Sequence, residues 1–107
     1  MSLDNVVRYG ELLDCYGRLL TERQQTCMEL YYNEDLSLAE TAEKFGISRQ
    51  AVHDTLRHAE EQLDEYESVL HMAEKRRIRQ DAAQKLLEGL TDEDRRFAAP
   101  LLEILSE

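Results

Sequence analysis

The stretch SLAETAEKFGISRQAVHDTLRHAEEQL, Ser37–Leu63, decides the fold. Ser37 with Glu40 three residues on is a capping box. Its hydroxyl and carboxylate each serve a backbone N–H that the first turn of a helix leaves unpaired. The apolar pattern runs to KFG, where Gly46 suits the left-handed conformation that closes a helix. Ser48 caps another helix at once. Two short helices joined by a three- to four-residue turn have helix-turn-helix spacing. The apolar positions agree. With Leu38 as first, the fifth residue, Ala42, is small where two helices cross, and the ninth, Gly46, makes the turn. The tenth and fifteenth, Ile47 and Val52, hold the second helix on the first, and Leu38, Phe45 and Leu56 complete the local core.

Upstream, Val6, Tyr9, Leu13, Tyr16 and Leu20 recur at steps of three and four and predict a helix over residues 3–20. Gly10 and Gly17 either weaken it or let another helix approach closely. Thr21 with Gln24 is a second capping box, and the helix it opens runs through QTCMELYY to NED. Cys27 in it reads as a small packed hydrophobe rather than a reactive thiol. Downstream, no proline or glycine falls between Gly46 and Gly89, so the helix begun at Ser48 is expected to be long. Leu56, Ala59, Leu63, Tyr66, Leu70 and Ala73 form a heptad seam that fades at Arg77. It either packs on the first helix or pairs with a second copy as a homodimer. A further helix is expected over residues 78–90. Thr91 and Asp94 open a last one, rich in Phe97, Leu101, Leu102, Ile104 and Leu105, which Pro100 is expected to kink or restart. This tail needs a partner surface, in its own chain or another. The expectation is a single all-α domain over residues 1–107, with the helix-turn-helix at 37–58 and a long-helix extension with C-terminal helices at 59–107.

The chain has 107 residues, 42% hydrophobic and 34% charged, and a formal net charge of -10. That composition gives one modest core and argues against disorder. No apolar run approaches the length of a membrane span, and the start lacks the basic and apolar regions of a signal peptide. The protein is therefore expected to be cytoplasmic, with Cys15 and Cys27 reduced. The charge is uneven. Residues 59–74 hold six acids and no base, whereas residues 48–58 hold two bases and one acid. The segment KRRIR holds Lys75, Arg76, Arg77 and Arg79 without an acid. Two positive islands thus stand in an acidic background.

The segment LTERQQTCMELYYNEDLSLAETAEKFGISRQAVHDTLRHAEEQL resembles region 4 of sigma-70-type transcription factors. The likeness rests on the LTERQ opening, the acidic loop before the motif, and LAETAEKFGISRQAV. With the first helix in front and the acidic helix behind, residues 3–90 are similar to the YlxM-like family (UPF0122) of small bacterial helix-turn-helix proteins. The resemblance implies a DNA-binding regulator associated with the signal recognition particle pathway, and no enzymatic activity. Alternatively, it implies an accessory module that holds signal recognition particle RNA or its protein GTPase. The likeness to sigma region 4 assigns groove contacts to Ser48, Arg49, Gln50, His53 and Arg57.

Those residue types suit the task. Arginine donates two hydrogen bonds to a guanine edge, and glutamine matches adenine. His53 and Arg57 follow four apart on one face. Ser48 offers a hydroxyl and free amides to a phosphate, although capping is its first role. Lys75, Arg76, Arg77 and Arg79 form a possible secondary basic patch toward RNA or an acidic protein face; otherwise they neutralise the acids of residues 60–67. Duplex binding usually neutralises several phosphates, and this motif supplies few cations. Catalysis lacks support. His53 and His58 are five apart, off a common face for a metal, and no phosphate loop, nucleophile elbow or HExxH occurs. No cofactor or metal is expected.

Overall fold

The computed structural model describes residues 3–107. The first two residues of the expected 1–107 domain lie outside them. The described chain is all-α: six α-helices and no strand. It divides into two compact units, one ending at Leu70 and one spanning His71–Glu107.

The first unit opens with α1, Leu3–Tyr16. The expected helix to residue 20 is shorter than read, because Gly17–Leu19 tighten into a 3₁₀ turn before extended Leu20. Gly10 has open space where a Cβ would stand, so it serves no close approach. Gly17 is buried, with Gln25 and Leu13 at ordinary contact distance from that position. Helix α2, Glu22–Met28, starts with the expected capping box: Thr21 Oγ1 accepts from Gln24 N at 3.2 Å, and Gln24 Oε1 accepts from Thr21 N at 3.1 Å. The helix then widens into a π-helical segment, Glu29–Asn33, which turns both Leu30 and Tyr32 into the core. Asp35 ends it in the left-handed region at φ 58°. Leu36 N donates back to Leu30 O, one residue wider than an α-helical terminus would allow.

Helices α3, Leu38–Phe45, and α4, Arg49–Leu70, form the helix-turn-helix. Ser37 and Glu40 make the capping box at 3.0 and 3.2 Å. Gly46 sits at φ 66°, ψ 33°. Gly46 N donates to Glu43 O and Ile47 N to Ala42 O, a Schellman closure with apolar Ile47 at its end. Ser48 Oγ accepts from Ala51 N at 3.0 Å, and α4 begins after three intervening residues. Ala42 and Val52 are buried at the crossing beside Thr41, whose hydroxyl donates to Ser37 O at 2.9 Å. Of the residues the spacing named, Ala42, Val52 and Leu56 are buried and Gly46 makes the turn, whereas Leu38, Phe45 and Ile47 are half-buried.

Leu12, Tyr16, Cys27, Met28, Val52, Leu56 and Leu63 form the core of this unit. Each aliphatic side chain withdrawn from water there contributes about 1.5–3 kcal/mol before ordering costs. Leu56, Ala59 and Leu63 of the heptad seam are buried within the single chain, leaving them no surface for a second copy. The stripe then gives out: Tyr66 is half-buried and Leu70 exposed. The long helix, expected to run past residue 70, ends there, and His71 takes the left-handed region at φ 53°. Histidine is enriched at such positions, and without burial little opposes the turn.

In the second unit, α5 spans Met72–Glu88 and α6 spans Asp92–Leu105. The helix expected at residue 78 thus starts six residues earlier. Thr91 Oγ1 caps α6 by accepting from Asp94 N at 3.2 Å. Arg95 fastens the corner, donating to Leu87 O and Leu90 O at the end of α5. Pro100 neither ends nor restarts α6, which continues through it. Residue 100 is exposed, so water can serve the carbonyl that proline leaves without a donor.

Candidate nucleic-acid interface

The start of α4 is the exposed element of the helix-turn-helix. Val52, Leu56, Ala59 and Leu63 turn one side of the helix inward. At about 100° per residue, Arg49, Gln50, His53 and Arg57 fall within roughly a third of the circumference, immediately beside that side. All four are exposed. Arg49 and Arg57 lie about 12 Å apart along the axis at 1.5 Å per residue. A B-form major groove is about as wide. The sequence-derived set is thus brought together on one face, with Ser48 engaged as the cap beneath it.

Charge on this face is divided. Among the described residues, the guanidiniums of Arg49 and Arg57 have no carboxylate partner, unlike Arg8, which meets Asp64 at 2.7 Å. Gln50 and His53 are both drawn to Asp54. Gln50 Nε2 donates to Asp54 Oδ1 at 3.0 Å, and His53 Nδ1 lies 3.7 Å from the same oxygen. Asp54 thus engages both Gln50 and His53 and keeps a carboxylate on this face.

Further along α4 the sign reverses, and the structure gives the acidic run a role that the sequence reading missed. Three of its carboxylates accept hydrogen bonds from tyrosines. Tyr32 donates to Glu60, Tyr9 to Asp64 at 2.8 Å, and Tyr16 to Glu67 at 2.6 Å. Arg8 also donates to Asp64, through Nε and Nη2, which raises the Arg8 pKa. Burial, then the bond to Asp64, pushes Tyr9 up to about 12. Burial, then the bond to Glu60, pushes Tyr32 up as well. Tyrosine rings pack beside these bonds, Tyr9 and Tyr32 with centroids 5.4 Å apart and Tyr16 and Tyr66 5.8 Å apart. The signal in the sequence was the tyrosine-rich aromatic set beside a carboxylate run with no base in it. Cys27 is buried and burial raises its thiol pKa, the setting of an inert packed thiol.

The second basic patch occupies the first two turns of α5. Arg79 Nη2 donates to Glu107 O at 2.9 Å. Arg76 lines a small surface hollow with Gln80, Glu103, Ser106 and Glu107. Part of this patch therefore serves its own hairpin.

The family profile described as "Putative helix-turn-helix protein, YlxM / p13 like" (UPF0122) matches residues 3–99. The chain belongs to the UPF0122 family. A UPF0122 protein of Streptococcus pneumoniae serotype 19F (strain G54) is 40% identical over 106 residues, covering 99% of this chain and 94% of that protein. A UPF0122 protein of Desulforamulus reducens is 59% identical over 64 residues, covering 60% of this chain and 55% of its own. The family description is of a helix-turn-helix protein and not of an enzyme. Among the described residues no helix is long and apolar enough to cross a membrane.

Proposed function

We propose that this chain is a nucleic-acid-binding regulatory module whose α4 enters the major groove of duplex DNA in the manner of sigma-70 region 4. The observation that carries the reading is the exposed start of α4. Two guanidiniums without carboxylate partners stand about a groove's width apart on an intact helix-turn-helix. Arg49 and Arg57 contact base edges or phosphates. Gln50 reads a base after exchanging its bond to Asp54, and His53 contributes at the same face. The backbone amides at the Ser48 cap approach a phosphate.

The first unit carries fifteen acids and six bases, net -9. Repulsion from phosphate reaches about 8–10 Å at moderate salt, so a single module binds weakly. Productive contact then needs help from a larger assembly or from a second copy of the chain, which doubles the phosphate contacts. The same weakness favours a second reading in the signal recognition particle pathway. There the module holds the particle's RNA or its protein GTPase, with Lys75, Arg76, Arg77 and Arg79 as a further contact.

The test is fluorescence anisotropy with duplex DNA and with signal recognition particle RNA over a salt series. Each phosphate contact contributes about 0.9 to the slope of log affinity against log salt, so Arg49→Ala with Arg57→Ala lowers the slope for DNA by up to about 2. Unchanged affinity and slope in the double variant remove α4 as the contact surface. Binding of RNA alone, with a shallow slope, moves the function to the second reading.

A further inference from the structure

We propose that the second unit is a self-association module, and that two copies of the chain join through α6 and the α5–α6 groove into a four-helix bundle. This deepens the paired form of the reading above, but it stands on observations from the other unit.

Helix α6 carries two apolar sides. Half-buried Ala98, Ala99, Leu102 and Ser106 form one, and Leu102 and Ser106 line a groove against α5. Phe97, Leu101 and Ile104, spaced i, i+4, i+7, form another, roughly 150° around the helix. Phe97 is 76% exposed and Ile104 68%. Burial within one hairpin uses the first side only, and α6 has no fully buried residue. Beside the ridge, the groove of about 290 Å³ is walled by Ala82, Ala83, Leu86, Leu102 and Leu105. A ridge and a groove on the same hairpin suit an isologous contact, in which one patch serves both copies.

Size and charge favour a second copy as the occupant. Units of fewer than about 40 residues rarely bury enough apolar surface to stand alone, and association is one remedy. Residues 71–107 hold eight acids and seven bases, net -1, against -9 for the first unit. Two second units can therefore approach with little repulsion, whereas two first units repel. The heptad seam of α4 offers no alternative, since its Leu56, Ala59 and Leu63 are buried in their own chain.

Sedimentation velocity of the full chain without nucleic acid tests this, so its failure is distinguishable from failure of groove binding. The expected species has twice the 12.5 kDa mass of the chain. Phe97→Glu with Ile104→Glu should give a monomer that keeps the melting transition of the first unit. Should that variant lose helix, Ile104→Gln alone removes apolar area without adding charge and should raise the midpoint concentration for dimerisation by about tenfold. A parent chain that stays monomeric up to high micromolar concentration overturns the proposal. So does a double variant that remains dimeric, or an Ile104→Gln midpoint that does not move.

Discussion

Replacing Tyr16 by phenylalanine removes one oxygen from the core of the first unit and tests whether the tyrosine–carboxylate bonds hold α1 on α4. Tyr16 is 1% exposed, and its hydroxyl donates to Glu67 Oε1 at 2.6 Å. A hydrogen bond to a charged acceptor contributes about 1.5–3 kcal/mol when water cannot replace it. Glu67 is only half-buried, and water recovers part of its solvation. The expected loss is therefore about 1–2 kcal/mol. In a unit of this size, 1 kcal/mol moves the melting midpoint by about 4–8 °C, so Tyr16→Phe should melt roughly 5–15 °C lower by circular dichroism. Tyr31→Phe is the control. Its ring packs edge-on against Tyr32 at 5.1 Å, and among the described residues its hydroxyl makes no hydrogen bond; its loss should stay within about 0.5 kcal/mol. Glu67→Gln completes a double-mutant cycle with an expected coupling of about 1 kcal/mol. Equal losses at Tyr16 and Tyr31, or additive effects at Tyr16 and Glu67, refute the reasoning.

Other perturbations separate the remaining arguments. Asp54→Asn removes the charge beside the groove face and loosens its hold on Gln50 and His53; DNA affinity by anisotropy should rise and its salt slope steepen by up to about 1. A fall in affinity would make Asp54 a contact residue. Gly46→Ala places a Cβ at φ 66° in open space, so strain alone acts, at about 1–2 kcal/mol. Gly10→Ala, in the interior of α1 with open space for a Cβ, should instead stabilise by about 0.5–1 kcal/mol, and urea melts that show the same sign at both sites contradict the backbone argument. Tyr9 and Tyr32 have pKa values raised above the ordinary 10.0 of tyrosine, Tyr9 to about 12. Raised values favour the neutral hydroxyls in the folded state. That contribution is therefore complete below pH 10 and is lost as pH rises through the folded values. Alkaline titration should unfold the parent from about pH 10 upward, and Tyr9→Phe should flatten its pH dependence there; an unaltered slope would deny the bond to Asp64 any part in stability.

How much was legible in the sequence depended on how local each signal was. The capping boxes at Thr21 and Ser37, the left-handed Gly46 and the small Ala42 are short-range chemistry, and each stands where its neighbours required it. The break at His71 was not legible, because no proline or glycine marks it. It follows from the exhaustion of the buried stripe after Leu63, which is a property of packing. The π-helical segment at Glu29–Asn33 was hidden for the same reason: the helical period names Cys27, Met28, Leu30 and Tyr31, whereas the wider turn buries Tyr32 and leaves Tyr31 half-buried. The proposed contact face was a list of residue types in the sequence, and the structure leaves Arg49, Gln50, His53 and Arg57 exposed. Its internal economy was not legible, since no spacing rule says that Asp54 would claim Gln50 and His53 while Arg49 and Arg57 stay bare.

The acidic charge of the chain takes on a structural meaning once its partners are known. Apart from Asp54, the carboxylates on α4 are grouped beyond Arg57, and three of them are bound to tyrosines of the same unit. A neutral hydroxyl satisfies a carboxylate's hydrogen-bonding demand without cancelling its charge. A lysine or arginine in its place would cancel that charge and leave the unit more adhesive to any phosphate. The tyrosines thus let the fold keep a dense acidic band beside the exposed start of α4, where, among the described residues, the guanidiniums of Arg49 and Arg57 lack carboxylate partners. Nonspecific affinity scales with the number of phosphates neutralised, so this arrangement lowers it across all sequences. The contacts that survive such a penalty are those that a second copy or a carrier reinforces. Neutralising Glu61 and Glu65, the acids of the run outside the tyrosine bonds, should therefore raise affinity for random duplex more than it raises discrimination between sequences.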